Sequence, residues 1–213
     1  MTTTGQHELP DRVAIVTGPA RGIGVATSRA LAATGASVVV PDVLHEEGER
    51  EAAVIREAGG RARYEHLDVT DAGAWELVVE RAAAEGVAIP RMRTSGGGAI
   101  VNVSSIFGVV GGFGGSIAYH AAKGAIRTMT KNAAPRHAKE GTGVNSIHPG
   151  FIETPMLAGI EGTPLEQEIL AATPMGRLAR PEEIADAIVF LAGDRASYVT
   201  GAALLADGGW TAR

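Results

Sequence analysis

Short apolar runs alternate along the chain with stretches whose apolar residues recur every three or four positions. "VAIVT" (13–17) is cut off by "GPARGIG", after which Ile23, Ala26, Ala30 and Leu31 recur at helical spacing as far as Gly35. The pattern predicts a strand, a glycine turn and a helix. "ASVVVPD" (36–42) reads as a fully apolar strand ending in an acid, followed by a helix over 46–58 that Gly59 and Gly60 close. A third strand fits 62–69. Thr70 or Asp71 then caps a helix running to about Glu85, with Trp75, Val78, Val79 and Ala82 on its inner face. Strands recur at 99–105, 143–150 and 201–209. Between them the pattern predicts a helix over 116–139 and another opened by Pro181. Strands alternating with helices imply right-handed crossovers and a mostly parallel α/β sheet covered on both faces.

Composition narrows the partners. The chain has 213 residues, 45% of them apolar, which is enough for one full core. A formal charge of −5 offers no basic field to nucleic acid or to an anionic membrane surface. No apolar run reaches the ~18 residues of a membrane span, and "MTTTGQHELPDR" lacks the features of a signal peptide, so a soluble cytoplasmic protein is expected. The chain contains no cysteine, which removes disulfides and thiolate metal sites and fits a reducing compartment.

Gly18, Gly22 and Gly24 follow a strand and open a helix, the context in which bare backbone approaches a pyrophosphate and a helix N-terminus faces it. Asp42 ends the second strand eighteen residues after Gly24, where a carboxylate meets adenosine ribose hydroxyls and would repel a 2′-phosphate. NAD is therefore favoured over NADP. Arg21 argues mildly the other way, as a guanidinium that could meet a phosphate or as a solvated loop cation. Asp68 either reaches an adenine edge or caps the helix that follows. In "AYHAAKG", Tyr119 and Lys123 sit at i and i+4 on one helical face, where the ammonium would ease ionisation of a phenol whose ordinary pKa is about 10. On spacing alone such a pair is most often an ordinary amphipathic face. His120 and His148 have no second ligand at metal spacing and read as packing or pocket-wall residues, so no metal is expected.

The glycine turn, "NVSS" (102–105) and the Tyr119/Lys123 pair, with "HPGFIETPM" (148–156), "GRLARPEEIA" (176–185) and "TGAALLADGG" (200–209), closely resemble the classical short-chain dehydrogenase/reductase family. The match covers nearly the whole chain in order. Among members, "LDVTDAGAW", "VNSIHPG" and "PDVLHEEG" are most similar to NAD-linked bacterial hydroxysteroid and cyclic-alcohol dehydrogenases. The resemblance implies a single Rossmann-like, doubly wound domain over 1–213, with residues 1–10 a flexible tail and 151–178 a substrate flap. It implies NAD(H), a small alcohol or ketone substrate, and a homodimer or homotetramer.

The family's roles carry over to individual residues. Tyr119 would be the general acid/base and Lys123 would hold the nicotinamide ribose and lower the phenol's pKa. Ser105, rather than Ser104, would bond the substrate oxygen. Gly18, Arg21, Gly22, Ile23, Gly24, Asp42, Asp68 and Val69 would line the adenosine half, and Pro149, Gly150, Ile152 and Thr154 the nicotinamide half. Phe107, Val109, Val110 and Phe113 would form one substrate wall, and Phe151, Met156, Leu157, Ile160, Leu165, Ile169 and Leu170 the flap, with packing roles equally open to them.

The chain also departs from that family. "AAAEGVAIPRMRTSGGGAIVNVSS" runs directly across the place where members carry a central strand with an "NNAG"-like end and a long helix bearing an asparagine, so on the order of 40 residues are absent. Asn102, Asn132 and Asn145 fall at other positions. Two outcomes are open for the sheet: "AIVNVS" pairs directly with "VAIVT", or two strand edges are left without a neighbour. Pro135, inside the predicted tyrosine helix, would cost about 3 kcal/mol or more unless the helix kinks. These departures leave a second function open, a nucleotide-binding or subunit-interaction protein without turnover.

Overall fold

The computed structural model describes residues 9–10, 12–74, 78, 89–112 and 116–212. The chain falls into two compact units, residues 1–96 and 97–213. Each is built on a three-stranded parallel sheet with helices packed on it, the Rossmann-like arrangement expected of the alternating pattern.

The first unit contains β1 (Val13–Ile15), α1 (Ile23–Ala33), β2 (Ser37–Asp42), α2 (His45–Glu57), β3 (Arg61–His66) and α3 (Ile89–Thr94), with strand order β1-β2-β3. Its central strand is the most apolar, and Val38, Val39 and Val40 are fully buried because β2 is covered on both faces. Val39, Leu67 and Val78 form a buried cluster against which Val13, Ile15 and Ala74 pack. Gly35 and Gly59 end α1 and α2 at φ 93° and 86°, the left-handed conformation that closes a helix at least strain in glycine. Asp71 accepts hydrogen bonds from the Gly73 and Ala74 amides and so caps the helix beginning at residue 72. Residues 75–77 and 79–85 of that predicted helix, Trp75, Val79 and Ala82 among them, lie outside the described residues, as do residues 1–8 of the expected tail. Ile89–Met92 of "AIPRM", a segment that resembles the last turn of the family's long helix, are helical in α3.

The second unit contains β4 (Gly98–Val103), α4 (Ile117–His137), β5 (Thr142–Pro149), α5 (Pro164–Ala172), α6 (Pro181–Ala192) and β6 (Ala203–Ala206), with strand order β4-β5-β6. The central strand β5 buries Asn145, Ser146 and His148 beside Val144 and Ile147. It tolerates them because each is bonded. Asn145 donates to the Val199 carbonyl at 2.8 Å and accepts from the Ala202 amide at 3.0 Å, fastening the loop before β6. Pro135 stands in the last turn of α4, which continues as far as His137, so the missing N–H falls near the helix end.

Among the described residues β1 has one strand neighbour, β2, and β4 has one, β5.

Candidate active site

In the first unit the glycine turn is built for close backbone approach. Gly18 and Gly22 take φ 68° and 57°. A Cβ on Gly24 would run into the Gly18 carbonyl and come within 2.8 Å of the Pro19 Cα. The first turn of α1, opened by Ile23, has neither a capping side chain nor an acid, so its N–H groups and positive dipole end remain available to an anion. These features fit a dinucleotide pyrophosphate.

Asp42, buried at the end of β2, organises this turn. One carboxylate oxygen accepts from the Ala20 amide at 3.1 Å and the other from Leu44 at 3.0 Å. Its own carbonyl accepts from the Tyr64 hydroxyl at 2.9 Å. Arg21 reaches Glu47 at 3.1 Å, so its charge is partnered within the protein. The Asp68 carboxylate accepts from the Thr70 amide and hydroxyl at 2.9 and 2.7 Å, and these bonds hold it below the usual carboxylate range. It stabilises the turn that leads to the Asp71 cap, and Val69 between them is exposed.

In the second unit, α4 starts at Ser116, whose hydroxyl accepts from the Tyr119 amide at 3.1 Å. This cap fixes the phase of the helix and puts Tyr119 and Lys123 on one face. The Lys123 ammonium lies 5.6 Å from the centroid of the Tyr119 ring. The same ammonium donates to the Val103 carbonyl at 3.1 Å, and burial pushes its pKa down. The two serines closing β4 have different tasks. Ser104 donates to the Lys123 carbonyl at 2.8 Å and ties the strand end to α4. The Ser105 hydroxyl accepts from the Phe107 amide at 3.2 Å, which leaves its proton undirected and available to a bound oxygen.

His148 has the packing role expected of it. It is fully buried, its Nδ1–H donates to the Ser105 carbonyl at 3.0 Å, and Nε2 accepts from the Ser146 hydroxyl at 2.9 Å. Burial pushes its pKa down, so the neutral ring persists and fixes the backbone of Ser105. Among the described residues there is no His/Asp/Glu group arranged for a metal.

Phe107 meets the Tyr119 ring edge-on, with centroids 6.4 Å apart, and stacks on His120 at 4.8 Å. It also packs against Phe151 and Trp210, at 6.1 and 6.2 Å. Of the predicted walls, Phe107, Val110 and Phe151 come together around buried Ile106, Ala172 and Trp210. Ile169 is a core residue, whereas Met156 and Leu165 face outward, and Phe113 lies outside the described residues. Trp210 went unremarked in the sequence, although a large aromatic after "DGG" was a readable signal. At the end of β5, Pro149 pairs with Ala206, and a side chain on Gly150 would strike Asp207 at 2.9 Å. Ile152 is buried and bridges to Ala179, which leads Thr154 into a short turn at 155–157.

The profile for "short chain dehydrogenase" matches residues 12–89, and that for "Enoyl-(Acyl carrier protein) reductase" matches residues 86–211. The cis-4-hydroxycyclohexanecarboxylate dehydrogenase of Sinomonas cyclohexanicum is 41% identical over 245 positions, covering 95% of this chain and 97% of its own. The chain belongs to the short-chain dehydrogenase/reductase family. The 3-alpha-(or 20-beta)-hydroxysteroid dehydrogenase of Mycobacterium tuberculosis is 35% identical, covering 96% of this chain and 91% of its own. A Beutenbergia cavernae protein assigned as an NAD(P)-dependent gluconate 5-dehydrogenase, crystallised with NADP at low occupancy, superposes with a TM-score of 0.86 at 31% identity, covering 96% of this chain and 98% of its own. The first of these alignments is longer than the chain itself, 245 positions against 213 residues, so at least 32 of its positions have no counterpart here. This family of oxidoreductases works with a nicotinamide cofactor, and the two curated relatives are named for cyclic alcohol substrates.

Proposed function

We propose that the chain is an NAD(H)-dependent oxidoreductase that interconverts a secondary alcohol and its ketone, with a cyclic apolar alcohol, a hydroxysteroid or a smaller ring, as substrate. The observation that carries this reading is the Lys123 ammonium set against the Tyr119 ring beside the strand end that bears Ser105. Gly18, Gly22, Ile23 and Gly24 would hold the pyrophosphate and Asp42 the adenosine ribose, with Arg21, Asp68 and Val69 bordering them. The negative charge of Asp42 favours NAD, although the Beutenbergia cavernae relative carries NADP. Pro149, Gly150, Ile152 and Thr154 would border the nicotinamide.

A bound nicotinamide supplies or accepts the hydride at the carbinol carbon. Ser105 donates a hydrogen bond to the substrate oxygen and orients it. In oxidation Tyr119 takes the hydroxyl proton as the carbinol C–H bond breaks, and in reduction it returns that proton to the carbonyl oxygen. Lys123 keeps a positive charge beside the phenol. Phe107, Phe151 and Trp210 supply apolar surface that excludes water and suits a ring. In this reading the whole chain acts as one cytoplasmic dinucleotide-binding domain with 151–178 as its substrate flap. It assembles as a homodimer or homotetramer, which would cover Ile117 and Met129, exposed along α4.

A second reading has its own observation. The Lys123 ammonium is bonded to a backbone carbonyl, which favours a nucleotide-binding or subunit-interaction protein without turnover. Mixing the purified chain with NAD and a panel of cyclic secondary alcohols, and following nicotinamide absorbance, separates the two. Turnover supports the enzyme, and NADH binding with no turnover supports the second reading.

A further inference from the structure

Asp42 ties two segments of the first unit together at the end of β2. One carboxylate oxygen accepts from the Ala20 amide of the glycine turn at 3.1 Å, and the other from the Leu44 amide at the start of α2 at 3.0 Å. A second link joins the same two segments. Arg21 follows Ala20, Glu47 stands in the first turn of α2, and the guanidinium reaches the carboxylate at 3.1 Å across 26 positions. The two side chains are 61% and 31% exposed, so the pair stands open to a ligand at this turn. The Glu47 carboxylate is held below the ordinary carboxylate range, first by its own backbone amide and then by Arg21, and both partners are charged at neutral pH.

We propose that Glu47 determines cofactor specificity alongside Asp42, by engaging the cation of the glycine turn, Arg21, and so withholding it from a ribose 2′-phosphate. The inference rests on the reading of Asp42 as the acid that meets the adenosine ribose. A phosphate monoester carries close to two negative charges at neutral pH. A guanidinium suits it, because its N–H groups form a rigid fork that matches phosphate oxygens. With Glu47 against it, Arg21 adds no net charge to the turn, and a 2′-phosphate would face the carboxylates of both Asp42 and Glu47. A ribose 2′-hydroxyl is uncharged and takes no penalty from the pair. Asp42 thus selects through the hydroxyl it accepts, and Glu47 through the cation it neutralises.

Glu47→Gln keeps the size of the side chain and removes its charge, and an ion pair this exposed contributes little to folding, so the variant is expected to melt with the parent. Isothermal titration with NADH and with NADPH at low ionic strength gives the two affinities. Their ratio is expected to shift toward NADPH by about fivefold in Glu47→Gln, with NADH affinity within about twofold of the parent. Added salt is expected to shrink the shift. Glu46→Gln removes the same charge from the same turn of α2 and is expected to leave the ratio within about twofold. Adding Arg21→Gln to Glu47→Gln is expected to abolish the shift. An unmoved ratio in Glu47→Gln, an equal shift in Glu46→Gln, or a shift that survives the loss of Arg21 overturns the inference. A parent that binds neither nucleotide overturns the functional reading and this inference with it, whereas a parent that binds NADH and a ratio that Glu47→Gln does not move overturn this inference alone.

Discussion

The Lys123 ammonium lies 5.6 Å from the centre of the Tyr119 ring, one helical turn away, and also donates to the Val103 carbonyl at 3.1 Å. In the proposed function the contact with the ring serves the chemistry, while the contact with Val103 ties α4 to the end of β4.

Gly24 faces the Gly18 carbonyl with no room for a methyl group. Gly24→Ala displaces the start of α1 or the turn itself. It is expected to weaken NADH binding by about tenfold or more, with a stability loss of about 1–3 kcal/mol for overpacking. Isothermal titration and thermal melts read the two effects.

Asp42 accepts two backbone N–H groups with its carboxylate oxygens. Asp42→Asn keeps one acceptor oxygen and removes the charge. The ratio of NADP to NAD affinity is expected to rise by about tenfold, equivalent to ~1.4 kcal/mol. Competitive titration of the two nucleotides measures it, and an unchanged ratio would remove Asp42 from the cofactor assignment.

Arg29 forks onto Glu51 at 2.8 and 2.6 Å, and Glu51 is 5% exposed while the arginine is half exposed. Arg29→Met strands a buried carboxylate. A loss of about 2 kcal/mol is expected, below the range for fully buried pairs because water reaches the guanidinium. Denaturant unfolding checks it, with Glu51→Gln in the Arg29→Met background expected to recover part of the loss.

Glu183 closes the start of α6 by accepting from the Arg180 amide at 2.8 Å and binds Arg177 through both oxygens at 2.7 Å. The Arg177 bond leads in lowering its pKa to about 2 from the ordinary 4.5. A depressed carboxylate contributes stability that is complete above its unfolded value and lost as pH falls through its folded one. The Glu183→Gln variant is therefore expected to differ from the parent in thermal midpoint above about pH 4.5 and to converge with it toward about pH 2.

Much of this architecture was legible from residue patterns. Strands β1, β2, β4 and β6 follow from apolar runs, and Gly35 and Gly59 mark helix ends because only a left-handed residue closes them cheaply. Helix α5 lies within the expected flap, and Thr163 and Glu166 carry the spacing of a capped N-terminus with Pro164 in the first turn. Other links were not readable because they span long stretches of sequence. The His148 imidazole grips the Ser105 carbonyl across 43 positions, Arg21 finds Glu47 across 26, and Lys123 finds Val103 across 20. No local spacing encodes contacts that the sheet register creates.

The most direct test of the chemistry is to remove one oxygen. Tyr119→Phe keeps the ring beside Lys123 and deletes the group that would carry the proton. Turnover of a cyclic secondary alcohol with NAD, followed by nicotinamide absorbance, is expected to fall by about 10²-fold or more while NADH affinity stays within about twofold. Turnover of the Tyr119→Phe protein at the parent rate would contradict the assignment of Tyr119 as the proton carrier.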